Sequence, residues 1–419
     1  MNLSRFSRVL YQISNSSEKV LTRKQNLFKN KRQWFGILAK VSEDNENLEV
    51  QNNKITDKFP LVWLRDNCKC ENCFHKSSQS RIINWKEFDI DVKVKSVEAK
   101  DEDNITINWH DDHKSVYSLD WLEKRSFSKV HQEKFLNEIY MPVKKVWTKD
   151  EFPDILKTYE FKDIINEDEA LYKWLKDIAV YGIALVKNVP ESEKEWRKIL
   201  ERVAFGKKTH YGDTFYVIAR EETNNVAYLS VTLQFHTDLP YYNYTPGVIL
   251  LHCLTQTKGK GGENLLTDSF HIAEKLRREN RDVFDILSKT DVNWSDIGEE
   301  DGVPFYKILR QPTISLDKYG NISVVRHSIT QRDSYFTVDI KDVKPWYKAI
   351  KVFINELYTN AACFRTEPGD ILSIDNTRLT HARLGYEDTE DSRRVVIGNY
   401  LDWDEIHSRL RVLGKRFGK

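Results

Sequence analysis

The sequence has no long apolar run and almost no net charge. No stretch of its 419 residues approaches the 18 or so consecutive apolar residues that a membrane-spanning helix needs. Its 65 basic residues nearly balance 64 acidic ones, for a formal net charge of +1. No overall field therefore attracts nucleic acid or an anionic membrane. We expect a soluble protein that binds neither.

Cysteine is also scarce. There are five cysteines, and three of them stand within six residues: Cys68, Cys70, Cys73, Cys253 and Cys363. An odd number with this clustering argues against a disulfide framework and favours a reducing compartment.

Acidic residues are missing from the first 17 residues. Apolar residues recur there at helical spacing, with arginines between them, at Leu3, Phe6, Leu10 and Ile13. This pattern is typical of an amphipathic mitochondrial presequence, which predicts a leader over residues 1–34 and a mitochondrial location. The alternative is a disordered basic tail on a cytoplasmic protein. Whether the leader is cleaved stays open.

The rest of the chain divides into two regions of different composition. Residues 35–140 carry short alternating segments such as ITINWHDD and VKVKSVEA, which predict a small β domain. From residue 150 onward, short strands near both ends enclose a stretch of helical periodicity. This order favours a mainly β barrel or sandwich with flanking helices over a parallel α/β sheet.

The clustered cysteines predict a structural zinc site. Three thiolates on one tight loop need a fourth ligand to complete a tetrahedron. The candidates are His75, His110 and His113, and we favour His113 because WHDDH resembles a turn that folds back. The alternative is three packed or surface thiols. A non-catalytic zinc-binding interaction module is the remote functional alternative, although no basic stripe accompanies the cluster.

Three His-x-acid triplets occur, and their contexts differ. His131 with Glu133 lies in a predicted helix, and His110 with Asp112 in the turn near the cysteines. By contrast, His236 follows an apolar stretch and precedes Pro240. On an extended segment, residues two apart point the same way, so His236 and Asp238 can hold one ion.

A third ligand is available far downstream at His381, after the predicted strand DILSID. Two histidines and one carboxylate form the facial triad of a non-haem Fe(II) oxygenase. The alternative is a core or capping histidine. Arg394 follows in RRVVIGNYL, and a buried guanidinium near such iron indicates an acid co-substrate. Otherwise it is an ordinary surface arginine.

Seven segments in family order resemble the γ-butyrobetaine dioxygenase and trimethyllysine dioxygenase family. They are VWLRDNCKCENC, YGDTFYV, NNVAYLSVTLQFHTDLPYY, PGVILLHCL, GKGGENLLTD, IDNTRLTH and SRRVVIGNYLDWD. The resemblance covers nearly everything after residue 35. It implies a double-stranded β-helix (jelly-roll) catalytic domain over residues 150–419 and a zinc-binding domain over residues 35–140.

The resemblance also implies an activity and its cofactors. Members of the family hydroxylate trimethylammonium substrates in carnitine biosynthesis, using Fe(II), O₂ and 2-oxoglutarate, with ascorbate supporting activity. Here γ-butyrobetaine would become L-carnitine, and the enzyme would be a homodimer. Iron would be held by His236, Asp238 and His381, and zinc by Cys68, Cys70, Cys73 and His113. Arg394 and Asn264 would bind 2-oxoglutarate.

The trimethylammonium group would lie in an aromatic cage. A quaternary cation cannot donate a conventional hydrogen bond, so aromatic faces hold it. The resemblance assigns this cage to Tyr211, Phe215, Tyr228 and Tyr400, and the substrate carboxylate to Asn225. Taken singly, such aromatics are usually core residues.

Two departures leave the exact substrate open. The cysteine motif and NNVAY are similar to the butyrobetaine branch of the family. However, Phe215 stands where the family usually has Trp, and Ser328 and Ile329 fall where amides are expected. Trimethyllysine or another quaternary amine is the alternative substrate.

Overall fold

The computed structural model describes residues 36–52, 55–99, 101–220, 223, 225–300, 302–388 and 393–418. The predicted leader, 1–34, lies outside these residues. Contacts divide the chain into two compact units between Leu136 and Asn137. The predicted domain limits at residues 35, 140 and 150 stay a prediction.

The first unit consists of short antiparallel strands with three short helices. Its elements are β1 (Leu38–Val41), β2 (Asn47–Gln51), β3 (Thr56–Pro60), α1 (Leu61–Asp66), β4 (Phe74–His75), β5 (Ser80–Arg81), β6 (Val94–Glu98), β7 (Asn104–Trp109), β8 (Lys114–Ser118), α2 (Leu119–Glu123) and α3 (Lys129–Lys134). Strands β1-β2-β3 and β6-β7-β8 form two three-stranded sheets, and β4 pairs with β5. A π-helical segment, Phe135–Tyr140, follows α3.

Period-two alternation builds the core of this unit. In β7, Ile105, Ile107 and Trp109 are buried. The polar residues between them face the other way, as the pleat requires. Trp109 also donates its indole N–H to Ser115 Oγ at 2.9 Å, which satisfies its one polar atom inside the core.

The second unit is built on two antiparallel-rich sheets. The strands that enter them are β9 (Thr158–Glu160), β10 (Ile183–Lys187), β11 (Phe215–Val217), β12 (Leu233–His236), β13 (Val248–Thr255), β14 (Asn264–Asp268), β19 (Ala362–Phe364), β20 (Asp370–Asp375), β21 (Leu379–Arg383) and β22 (Val395–Leu401). One sheet has the order β11-β22-β13-β20-β10-β9 and the other β12-β21-β14-β19. Two hairpins lie between β14 and β19 in sequence: β15 (Asp291–Glu300) with β16 (Val303–Pro312), and β17 (Ile314–Leu316) with β18 (Ile322–Val325).

Helices flank the sheets, as the sequence predicts. They are α4 (Phe152–Ile155), α5 (Phe161–Asn166), α6 (Asp168–Tyr181), α7 (Glu193–Trp196), α8 (Lys198–Val203), α9 (Ser269–Glu279), α10 (Arg281–Lys289), α11 (Ile340–Thr359) and α12 (Trp403–Arg416). Among the described residues, no helix combines the length and apolar character needed to cross a membrane. The prediction of a mainly β protein with flanking helices is therefore confirmed.

The six-stranded sheet separates two hydrophobic cores. In β10, Ile183 and Leu185 enter one core, and Ala184 and Val186 enter the other. Because both faces are covered, all six residues of β20 are buried. The helix before β10 is capped by Gly182, whose φ of +80° lies in the left-handed region that favours glycine. This tight reversal brings α6 directly onto the sheet.

Candidate active site

Two antiparallel strands bring three potential metal ligands together. His236 at the end of β12 lies directly opposite His381 in β21, and their ring centroids are 4.2 Å apart. Asp238 follows two residues later, with Oδ1 at 3.3 Å from His236 Nε2 and 3.6 Å from His381 Nε2. One ligand atom from each of the three lies within 4.8 Å of the others. This spacing suits a shared ion.

The protonation states favour metal binding. His236 Nδ1–H donates to the carbonyl oxygen of Gln234 at 2.8 Å, which leaves Nε2 free for a metal. Burial lowers the pKa of His381 to about 3, so its imidazole is neutral at physiological pH. Burial alone would raise the pKa of Asp238, but its close contacts with the imidazoles of His236 and His381 hold it at about 2. The set therefore offers two imidazoles, of which that of His381 is neutral, and one ionised carboxylate.

Asp238 is oriented by Asn376, in the turn that follows β20, and by Tyr400 in β22. Its backbone N–H donates to Asn376 Oδ1 at 2.7 Å, and Asn376 Nδ2 donates back to its carbonyl oxygen at 2.9 Å. The Tyr400 hydroxyl, from β22, donates to Asp238 Oδ2 at 2.9 Å. The chain then turns through Leu239, which has a positive φ of 51°. Oδ1 is thus left facing the two histidines.

These ligands form part of the wall of a cavity. It is also lined by aromatic rings, amides and two arginines: Tyr211, Phe215, Tyr228, Tyr400, Asn225, Asn264, Thr330, Gln331, Arg383 and Arg394. Every residue that the sequence assigns to iron, 2-oxoglutarate or substrate lies in this one wall. The structure therefore brings together groups that are up to 189 positions apart in the chain, from Tyr211 to Tyr400.

Arg394 presents a buried cation to the cavity. It is 4% exposed, and burial lowers its pKa. Its Nε has no hydrogen-bond partner among the residues that the structure describes. Asn264 in β14 lies in the same wall and is 7% exposed. Since a buried guanidinium is costly without an anionic partner, this part of the cavity is suited to a carboxylate ligand.

The predicted cage residues do lie around the cavity. Phe215 stacks on Tyr400 with 5.1 Å between centroids and 28° between planes. Its partner across the strands is Gly398, where an added Cβ would come within 1.9 Å of the Phe215 ring. Tyr228 is buried in a short 3₁₀ turn, Val226–Tyr228, and burial raises its pKa to about 12. The absence of a side chain at Gly398 therefore leaves room for the ring of Phe215.

Asn225 is engaged with the protein itself. Its Oδ1 accepts from the Ala227 N–H at 2.9 Å, and its Nδ2 donates to the Tyr211 hydroxyl at 3.2 Å. It remains in the cavity wall, and one of its two amide hydrogens has no partner among the described residues. Its predicted contact with a substrate carboxylate stays a prediction.

Sequence reasoning missed several residues of the site. Ser328 and Ile329 do not line the cavity, whereas Thr330 and Gln331, the next two residues, do. The Gln331 N–H donates to Ser328 Oγ at 3.3 Å, so the serine supports the turn that presents the glutamine. The side-chain amide of Gln331, in the segment ITQRD, is a feature of the sequence that could have indicated this part of the site. No such feature of the sequence indicated that Arg383 would line the cavity.

In the first unit, the structure brings three thiols to one imidazole. His113 Nε2 lies 3.3 Å from Cys68 Sγ, 3.6 Å from Cys70 Sγ and 3.5 Å from Cys73 Sγ. Of the three candidate histidines, only His113 belongs to this cluster of potential ligands in the described residues. Burial raises the pKa of Cys73 to about 12, which disfavours the thiolate. A bound cation would favour the thiolate and lower this pKa again.

Comparisons with known proteins agree with this geometry. Residues 149–399 match the family model described as "Taurine catabolism dioxygenase TauD, TfdA family", and residues 39–123 match "Gamma-butyrobetaine hydroxylase-like, N-terminal". Gamma-butyrobetaine dioxygenase of Homo sapiens is 36% identical over 360 residues, which are 85% of this chain and 92% of that protein. Mitochondrial trimethyllysine dioxygenase of Rattus norvegicus is 28% identical over 376 residues, 89% of this chain and 86% of that one.

The geometry and the first match together define an oxygenase of the TauD/TfdA class. Within that class, the chain belongs to the gamma-butyrobetaine dioxygenase family. Among solved structures, asparagine oxygenase in complex with Fe(II), 2S,3S-3-hydroxyasparagine and succinate has a TM-score of 0.45 at 13% identity, over 58% of this chain and 83% of that one. That likeness is too weak to add to the assignment.

Proposed function

We propose that the protein is an Fe(II)- and 2-oxoglutarate-dependent hydroxylase that converts γ-butyrobetaine to L-carnitine. One observation carries this proposal: His236, Asp238 and His381 converge in the wall of a cavity that also holds a buried guanidinium and a set of aromatic rings. The 36% identity to human gamma-butyrobetaine dioxygenase supports the choice of substrate.

The donor set fits Fe(II). Two imidazoles and one carboxylate leave coordination positions open, as oxygenases of this kind require. The His236–Gln234 hydrogen bond and the Tyr400–Asp238 hydrogen bond fix two of the three ligands from behind. When bound, Fe(II) supplies the activation of O₂ that couples substrate hydroxylation to decarboxylation of 2-oxoglutarate.

Arg394 would bind the distal carboxylate of 2-oxoglutarate. Its planar guanidinium can form two parallel hydrogen bonds to a carboxylate, and burial strengthens them. The ring of Tyr386 lies 5.6 Å from Arg394 Cζ and helps hold the guanidinium in place. Asn264 would assist from the neighbouring strand.

The aromatic rings would bind the trimethylammonium group. Tyr211, Phe215, Tyr228 and Tyr400 offer faces to a cation that has no hydrogen-bond donor. A phenylalanine attracts a cation less strongly than a tryptophan does, so Phe215 makes this cage weaker than one built with Trp. Thr330 and Gln331 would add polar contacts to the remainder of the substrate.

Trimethyllysine is the second candidate substrate. Its support is the 28% identity to rat trimethyllysine dioxygenase, and Gln331 lies in the cavity wall whereas Ser328 and Ile329 lie outside it. The polar part of the pocket therefore differs from the one that the family resemblance implies. Both substrates carry the same cationic head group, so the cage does not distinguish them.

We also propose a double-stranded β-helix for the catalytic unit, because two facing sheets with β12 and β21 adjacent would present the ligands at one end. A homodimer and a mitochondrial location are further proposals. The second is supported by the composition of residues 1–34 and by relatives named as mitochondrial trimethyllysine dioxygenases.

For the cysteine cluster we propose a structural zinc ion. Three thiols and one imidazole form a closed tetrahedral set with no open position for substrate. Metal analysis should find about one zinc per chain. Cys70→Ser should lose the zinc and lower the melting temperature, and Cys363→Ser, at an exposed cysteine outside the cluster, should do neither. Full zinc retention in Cys70→Ser would contradict the site.

The proposed activity is tested by succinate release. Purified protein with Fe(II), ascorbate and 2-oxoglutarate should release succinate faster when γ-butyrobetaine is added, and L-carnitine should form. His236→Ala should abolish the stimulation. His131→Ala is the matched control, because it removes a half-buried histidine that belongs to another His-x-acid triplet of the sequence. Stimulation by trimethyllysine alone would move the protein to the other branch, and no stimulation by any trimethylated amine would overturn the proposal.

A further inference from the structure

A carboxylate lies behind the aromatic cage and has no role in the function proposed so far. Asp296, in β15, does not line the cavity, but its Oδ2 accepts hydrogen bonds from the hydroxyls of two tyrosines. These are Tyr211, at 3.2 Å, and Tyr241, at 2.5 Å. Tyr211 is a cage residue, so Asp296 touches the cage from its outer side.

Asp296 lies opposite Lys307 in the hairpin, but Lys307 Nζ lies over the Tyr242 ring, 5.1 Å from its centroid. No lysine or arginine in the described part of the chain forms an ion pair with it, and its close titratable neighbour is His210, with Nε2 at 3.8 Å. Its side chain is 15% exposed. A largely buried carboxylate of this kind creates a negative potential in its surroundings, because little water screens it.

The hydrogen bonds form a directed chain toward Asp296. Asn225 Nδ2 donates to the Tyr211 hydroxyl, and that hydroxyl donates to Asp296. The Tyr211 ring is thereby held at its hydroxyl from two sides. Burial and the charge of Asp296 both raise the pKa of Tyr211, so the phenol keeps its proton and stays a donor.

The hairpin β15–β16 packs the carboxylate against the cage. Successive side chains alternate between its faces, so Asp296 and Gly298 share one face. Gly298 lies opposite Phe305, where an added Cβ would meet the ring at 2.9 Å. Phe305 in turn contacts His210 edge-on, with 4.4 Å between centroids. The inner face of the hairpin therefore backs the wall that holds Tyr211.

We propose that Asp296 is a positioning residue for the cationic head group: it fixes the ring of Tyr211 and gives the cage a preference for a positive charge over a neutral group of the same shape. The proposal rests on the proposed function, since it deepens the cage that this function requires. A cage that has Phe215 in place of Trp gains most from such a charge, because the phenyl ring attracts a cation less strongly than an indole ring does.

The test compares two ligands that differ only in charge. One is γ-butyrobetaine, and the other is its neutral isostere with a tert-butyl group in place of trimethylammonium, measured as a competitive inhibitor. Asp296→Asn removes the charge and keeps the size and a hydrogen-bond acceptor. We expect the parent's preference for the cation, expressed as the ratio of the isostere Ki to the substrate KM, to fall about tenfold. The fall should come from a higher KM, with kcat and the requirements for Fe(II) and 2-oxoglutarate unchanged.

Two further variants separate charge from structure. Tyr241→Phe removes one hydrogen bond to Asp296 but keeps the charge, so its preference should stay within about twofold of the parent. Asp296→Glu, which also keeps the charge, should retain the preference and serves if Asp296→Asn folds poorly. An unchanged preference in Asp296→Asn, an equal loss for both ligands, or a lost preference in Asp296→Glu would overturn the inference. A parent protein without activity on any trimethylated amine would instead overturn the proposed function.

Discussion

Replacing Tyr400 with Phe is expected to weaken iron binding without dismantling the cage. The substitution keeps the ring that stacks on Phe215 at 5.1 Å and deletes the hydroxyl that donates to Asp238 Oδ2 at 2.9 Å. A hydrogen bond to a charged group contributes about 1.5–3 kcal/mol, and loss of such a partner behind a metal ligand lowers metal affinity about 10–100-fold. Asn376 still forms hydrogen bonds with the backbone N–H and the carbonyl oxygen of Asp238. We therefore expect the loss of iron affinity to lie at the lower end of this range, about tenfold.

The assay is the Fe(II) concentration that gives half-maximal succinate release. Tyr228→Phe is the matched control, because it removes a hydroxyl from the same cavity that is not bonded to Asp238. Tyr400→Phe should raise the Fe(II) requirement, and Tyr228→Phe should leave it unchanged. At saturating Fe(II), the KM for 2-oxoglutarate should match the parent in both. An unchanged Fe(II) requirement in Tyr400→Phe, or an equal rise in both variants, would refute the orienting role of the hydroxyl.

Three further predictions follow from buried charges. Arg394→Lys should raise the KM for 2-oxoglutarate about 10-fold or more with a smaller effect on the substrate KM, because an ammonium cannot reproduce a bidentate contact; equal effects on both constants would remove Arg394 from this role. Asp268→Asn should lower the free energy of unfolding in urea by about 3–5 kcal/mol, because it leaves the fully buried Arg378 without its partner at 2.7 Å. Lys173→Ala, at an exposed ion pair, should change it by less than about 1 kcal/mol. Burial lowers the pKa of His252 to about 4, below the ordinary value of 6.5, so the unfolded state binds this proton first and stability falls as the pH drops from about 6.5 to 4. The loss should reach about 3 kcal/mol, and His252→Leu should flatten this part of the stability–pH curve; an unchanged slope would refute it.

The parts of the site that the sequence could predict are those that depend on short spacing. His236 and Asp238 are two residues apart on an extended segment, and period-two geometry alone points both side chains the same way. The mainly β architecture with flanking helices also followed from local periodicity. In each case the physical cause acts within a few residues, so a single sequence contains it.

The sequence alone does not show which distant strands pair with one another. Strand β12 meets β21 across more than 140 intervening positions, and that register places His236 opposite His381. The residues alone offered His381 as a third ligand beside the alternative of a core or capping histidine, and the family resemblance favoured the ligand. Asp296 had no signal at all, because its meaning depends on the hairpin packing behind Tyr211 and on hydroxyl groups from two separate segments.

The metal centre and the substrate cage share one mechanical support. Arg383 lies two residues after His381 in β21 and is 4% exposed. Its guanidinium donates to the carbonyl oxygens of Ala227, Leu229 and Val231, the segment that carries Tyr228. The strand that carries the proposed iron ligand His381 is therefore also bonded to one wall of the proposed cage. Because these hydrogen bonds hold the Tyr228 segment against that strand, the protein would set the distance from a bound cationic head group to the proposed metal site. A fixed distance selects which carbon of a bound trimethylated amine faces the metal, and this provides a physical basis for hydroxylation at a single position.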